Sequence, residues 1–193
     1  GFSSLHKIFF TRTVGEDPQR LKRASYLTFF KRSIELNLEF YQSQQAMIFT
    51  WLSQIAGPGS CAINPLSASI KAGKKSFNDF LDLLEFCLEN KLITHTHLKT
   101  ILLSTDNLQW GTVPCRLACL IKDINSFNRY FDLLSNLEKT EILKRSEISA
   151  LLNIPRNGWL LLTEIKHFIP YPQHLPFLDR LAPYLFPEPV RPV

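Results

Sequence analysis

Leu27, Phe30, Ile34, Leu38 and Tyr41 follow one another at three- and four-residue spacing, with mostly polar side chains between them. That period predicts a helix with one buried face. Its start is marked by Asp17 as N-cap and Pro18 in the first turn, where a missing N–H breaks no helical hydrogen bond. Helical periodicity continues through "QQAMIFTWLSQIAGPG", where Gly57 and Pro58 stop it. One unbroken helix of that length is unusual in a globular protein, so a turn is expected between Asn37 and Gln45.

Shorter helical periods follow. One predicted helix covers 64–72, a second carries Phe77, Leu81, Leu84 and Leu88 on one stripe, and a third runs from Thr96 to Ser104 with Leu98, Ile101 and Leu102 inward. The same order then returns: a helix near Pro114 to Lys122, one with Phe127, Phe131, Leu134 and Leu137, and one with Ile148, Leu151 and Leu152. "SFNDFLDLLEF" from Ser76 and "SFNRYFDLLSN" from Ser126 stand fifty positions apart, and the same shift sets Ala68 on Ala118 and Ile70 on Leu120. Because core positions fall on core positions, the pattern predicts an internal repeat of about fifty residues.

The expected organisation is an N-terminal helical cap over 1–56 and helical repeats over 57–168, divided into 57–106, 107–156 and the start of a third. A Pro-rich capping segment over 169–193 would complete the chain. Terminal units of such arrays are atypical because one face meets water. Seven of the 12 Pro lie after position 169, yet Phe177, Leu178, Leu181 and Leu185 still describe the inner face of a helix from Pro176 to Leu185.

Composition supports helices over a sandwich or barrel, since the chain holds only 7 Gly and its first 169 residues lack regularly spaced turn signals. Hydrophobic residues make up 45% and charged residues 20%, the balance of a folded domain. No apolar run is long enough to cross a membrane, and "GFSSLHKIFFTRTV" has no signal-peptide pattern. The chain begins with Gly instead of Met, which suggests a fragment of a longer protein with a cleavage scar in front.

The formal charge of +5 permits an acidic partner, nucleic acid or an anionic membrane surface. Much of the excess lies in Arg20, Lys22, Arg23, Lys31 and Arg32, the residues that would contact phosphates if the chain bound nucleic acid. Their more ordinary role is a solvated helix face. Cys61, Cys87, Cys115 and Cys119 show no C-x-x-C spacing and are expected as free thiols in a reducing, cytoplasmic compartment.

The joint between the two units reads "DNLQWGTVPCRLACLIK", from Asp106 to Lys122. It resembles the ankyrin repeat, with Gly111 at the loop glycine, Pro114 at the proline of Thr-Pro-Leu-His-x-Ala, Leu117 at an inner-helix position and Ala118 at the small packing residue. Pro65, Leu66 and Ala68 give a weaker match. The units depart from the 33-residue ankyrin period, and the consensus His is Ser67 in one and Arg116 in the other. Long degenerate repeats of this kind are similar to those in effector proteins of intracellular bacterial pathogens. The resemblance implies an interaction module acting on a protein in the host cytosol.

Candidate chemistry is sparse. His95 and His97 are two apart, which on a helix turns them to different faces, so a polar helix start capped by Thr94 or Thr96 is expected in place of a metal site. Cys61 paired with His95 or His97 would make a cysteine-dependent enzyme, although nothing local marks a nucleophile. Asp82 and Asp132 recur at equivalent positions and are expected as a solvated row. Trp110 and Trp159 stand at unit joints, where an aromatic ring either wedges the loop or anchors a partner. Arg116, in place of the consensus His, is the expected groove contact, and Lys74 and Lys75 join the candidate partner-binding set.

The sequence thus predicts an all-α helical-repeat solenoid that binds another protein without catalysis, cofactor or metal. Nucleic-acid binding through the basic helix and a small cysteine enzyme are the alternatives.

Overall fold

A computed structural model describes residues 18–55, 63–104, 112–155 and 158–185, with side chains described from Leu27 onward. The described residues form eleven α-helices and one π turn, with no strand, so the protein is all-α. The chain divides into two compact units, Gly1–Asn107 and Leu108–Val193.

In the first unit, α1 spans Pro18–Leu36, α2 Leu38–Ser43 and α3 Gln45–Ser53. The expected turn is two turns. Asn37 and Gln44 each take non-helical backbone angles, and neither caps the following helix through its side chain. Asp17, the expected N-cap, lies outside the described residues, as do Gly57, Pro58 and Cys61.

Three further helices complete this unit: α4 (Pro65–Ala72), α5 (Lys74–Glu89) and α6 (His95–Leu102). Asn64 caps α4 by accepting from the Ser67 N–H at 2.8 Å, with Pro65 in the first turn. Thr94 caps α6 through the His97 N–H at 3.1 Å. Gly73 joins α4 to α5 at φ +105°, a left-handed backbone that L side chains rarely adopt. The α5 stripe buries Phe77, Phe80, Leu81, Leu84 and Cys87, while Leu88, expected inward, is only half-buried. Helix α4 packs on α3 and α5, and α6 packs on α3 and α5. The N-terminal helices are tied to the turn after α5: Gln42 Nε2 donates to the Asn90 carbonyl at 2.9 Å and Gln45 Nε2 to the Lys91 carbonyl at 2.7 Å.

The second unit opens with a four-residue helix α7 (Val113–Arg116), followed by a π turn over Leu117–Ile121. The expected continuous helix to Lys122 is therefore interrupted. Lys122 N–H donates to the Leu117 carbonyl at 2.9 Å, a bond spanning five residues, and Lys122 then turns left-handed at φ 55°. Gly73 follows Asn64 by nine positions, whereas Asp123 follows Thr112 by eleven. A wider π turn and a left-handed residue take up such an excess without moving the next helix.

Helices α8 (Ile124–Lys139) and α9 (Arg145–Leu152) lie at the positions of α5 and α6 plus fifty. Their buried residues keep the same shift: Phe77 and Phe127, Phe80 and Tyr130, Leu81 and Phe131, Cys87 and Leu137 are all buried. The turns after α5 and α8 share backbone features. Lys91 and Glu141 are left-handed at φ 56° and 60°. The N–H of Ile93 reaches back to the Cys87 carbonyl, and that of Leu143 to the Leu137 carbonyl.

Two helices close this unit, α10 (Leu161–Phe168) and α11 (Leu175–Leu185). Helix α10 packs on α7 and the π turn, and α11 on α8 and α9. Phe177, Leu181 and Tyr184 form the buried face of α11; Leu178 and Leu185, expected inward, are half-buried. Tyr184 accounts for the change, because its ring lies 5.9 Å from Phe131 and its hydroxyl is 2.9 Å from Ser135 Oγ. No helix among the described residues is long and apolar enough to cross a membrane.

Candidate interaction surface

Helix α10 has opposite requirements on its two sides. Leu161, Glu164 and Ile165 are buried, whereas Lys166, His167 and Phe168 face outward, so the last turn presents a charged residue and two rings to solvent. Just before the helix, Trp159 and Leu160 are 41% and 47% exposed, large fractions for side chains of this kind. The indole of Trp159 meets the His167 ring edge-on at 4.9 Å, and His167 meets Phe168 in the same way at 4.8 Å. Lys122 Nζ stands 5.7 Å over the Phe168 ring.

These contacts join Trp159, His167, Phe168 and Lys122 into one continuous surface. The geometry follows from the π turn, which exposes Lys122 at its end and packs beneath α10. Tyr171 is 76% exposed in the following turn, its ring 5.6 Å from His174. Among residues 158–178 the one carboxylate is Glu164, and it is 3% exposed. Asp123, next to Lys122, is occupied as the α8 N-cap, accepting from the Ser126 N–H at 2.9 Å. The exposed surface is therefore apolar and aromatic, with the Lys122 ammonium at its edge.

Directly below lies a buried polar cluster. Arg116, expected as a groove contact, is only 1% exposed and is the largest fully buried side chain of the described residues. That expectation is corrected here, because α7 is packed against α10 and the π turn, and burial withdraws the guanidinium from any partner. Cys119 Sγ lies 3.5 Å from Glu164 Oε2, and Thr112 Oγ1 donates to Cys115 Sγ at 3.3 Å. Burial pushes the Cys115 thiol up to about 11, with Thr112 pulling it down and Glu164 adding to the rise. Burial raises the Tyr130 hydroxyl too, against the opposing pull of Arg116.

The raised Cys115 thiol is poorly placed for nucleophilic chemistry, which runs through the thiolate. Cys87 is held even higher, at about 12, by burial, with Lys31 opposing. Cys61, the expected nucleophile, lies outside the described residues. His97 is occupied structurally: its Nδ1 accepts from the Thr94 N–H at 3.4 Å and its ring stacks on Phe49 at 4.4 Å. Among the described residues no three His, Cys, Asp or Glu side chains come together as metal ligands.

A groove of about 600 Å³ in the first unit is bordered by Phe49, Ser53, Asn64, Lys99, Thr100 and Ser104. Several of its polar groups are already engaged within the unit. Asn64 caps α4 and also donates to Ser104 Oγ at 2.5 Å, while Ser53 and Thr100 donate to carbonyls of their own helices.

The remaining candidates separate. Lys74 and Lys75 are exposed at the start of α5 in the first unit, and Lys75 pairs with Asp79 at 3.4 Å. Trp159 belongs to the second unit, and Trp110 lies outside the described residues. Of the basic residues of α1, Lys31 donates to the Asp82 carbonyl at 3.3 Å and Arg32 pairs with Glu35 at 3.0 Å; the side chains of Arg20, Lys22 and Arg23 are not among those described. Asp82 and Asp132 are both exposed, but Asp132 also binds Arg180 Nη2 at 2.6 Å. Sequence reasoning missed Phe168, His167, Lys122 and Tyr171. The signal available for Phe168, His167 and Tyr171 was the acid-poor, aromatic run from Trp159 to Tyr171; no local signal marks Lys122.

Comparisons with protein-family models, curated proteins and solved structures returned no match.

Proposed function

We propose that this chain is a protein-interaction module made of two tandem, ankyrin-like helical units, and that it engages its partner through the Trp159, His167, Phe168 and Lys122 surface. The observation that carries this reading is the continuous exposure of large aromatic side chains beside a unit whose other rings, Phe127, Tyr130, Phe131 and Phe177, are buried. Exposed Trp and neighbouring cations are the residue types that supply most of the energy at interfaces. A tandem arrangement is supported by the fifty-residue register shared by α5 with α8, by α6 with α9, and by the turns between them.

The test compares the chain with a Trp159→Ala, Phe168→Ser double variant as bait in a cytosolic extract, with retained polypeptides measured by quantitative mass spectrometry. Loss of specific polypeptides with the variant, while its thermal unfolding is preserved, is the expected result. An identical retained set from both baits would refute the reading.

A further inference from the structure

We infer that the partner docked on this surface is an acidic polypeptide segment with a large apolar anchor, an assignment that rests on the interaction reading above. Three features of the surface define the ligand. Trp159, Leu160 and Phe168 offer apolar area, and the edge-on ring contacts hold the indole and the Phe168 ring on either side of His167. An inserted aromatic or aliphatic side chain would contact fixed rings and lose little further side-chain entropy on docking.

Charge selects the rest of the ligand. Lys122 is exposed beside the Phe168 ring, and the carboxylates nearest in sequence, Glu164 and Asp123, are respectively buried and engaged as a helix cap. Lys122 Nζ is held over the Phe168 ring, a position that keeps the ammonium at the edge of the apolar area. A segment carrying Asp or Glu beside its anchor meets the Lys122 ammonium, whereas a basic segment meets like charge there.

Other exposed apolar side chains are less selective. Phe29, Leu36 and Phe40 are exposed on α1 and α2, but Arg32 and Glu35 on the same helix are paired with each other, so that face carries no net preference.

The experiment measures fluorescence anisotropy of labelled peptide pools about twelve residues long. The pools are acidic with Leu, Phe or Trp anchors, acidic without anchors, and basic with the same anchors; vesicles of phosphatidylserine and phosphatidylcholine form a separate arm. The inference expects binding of the anchored acidic pool, weakened by salt raised from about 50 to 300 mM. Binding should fall about tenfold or more in Trp159→Ala and about threefold or more in Lys122→Asn, each with an unchanged circular dichroism melt.

Preference for the basic anchored pool, lost in Trp159→Ala, would overturn the acidic assignment and leave the interaction surface standing. Trp159-dependent binding to vesicles with none to peptides would overturn both in favour of a membrane surface. Peptide binding unchanged in both variants, or no binding in any arm, would overturn the assignment as well.

Discussion

Arg116 and Trp159 show how far one residue's role depends on its surroundings. Both stood as candidate contacts in the sequence, yet Arg116 is 1% exposed and Trp159 41%. Removing a buried guanidinium leaves a void and strands the polar groups around it, so Arg116→Ala should destabilise the protein by about 3 kcal/mol or more in urea unfolding. Trp159→Ala should cost less than about 1 kcal/mol and act on binding instead. A melting curve for Arg116→Ala superimposable on the parent's would contradict the buried placement. Thiol chemistry gives a second residue-level prediction. Cys87 and Cys115, with their thiols pushed up to about 12 and 11, should react with iodoacetamide at pH 8 at least about tenfold more slowly in the folded chain than in urea, as read by peptide mass spectrometry.

At the scale of elements, much was legible because helix periodicity and caps are local. Asn64, Pro65 and Thr94 mark helix starts by chemistry that operates within three residues. Asp123 does so for α8, and Asp123→Ala should cost about 1 kcal/mol, whereas α5 starts at Gly73 without a side-chain cap. The left-handed residues after α5 and α8 give a paired prediction: Lys91→Gly and Glu141→Gly should each raise stability by about 0.5–1 kcal/mol, because both relieve the same backbone conformation. A gain at one position and a loss at the other in denaturant midpoints would show that the two turns are not equivalent. The π turn was not legible. It depends on an excess of residues between two helix caps, and that excess becomes visible only once the next helix is fixed by packing.

Across the molecule, buried protons link stability to pH. Cys87 and Cys115 have folded values raised above their ordinary 9.0, so the folded chain keeps protons that the unfolded chain releases. Their contribution is complete below about pH 9 and is lost as pH rises through about 11 and 12, at up to about 1.4 kcal/mol per pH unit for each proton. Tyr130 acts in the same direction. The urea midpoint should therefore fall between pH 8 and pH 10.5, and a Cys87→Ala, Cys115→Ala variant should show a shallower fall. An equal slope in parent and variant would mean that these thiols are not protected by the fold.

By itself the sequence determined the all-α class and most helix cores, since each follows from the spacing of apolar side chains along a single chain. Tertiary structure alone decided which polar and aromatic groups face water. Whether Arg116 is buried, whether Lys122 stands over Phe168 and whether Trp159 meets His167 depend on helices α7, α8 and α10 and the π turn coming together. Periodicity assigns a residue to a face of its own helix. What covers that face is set by the packing of elements distant in sequence, and in this chain that packing separates the core from the candidate interaction surface.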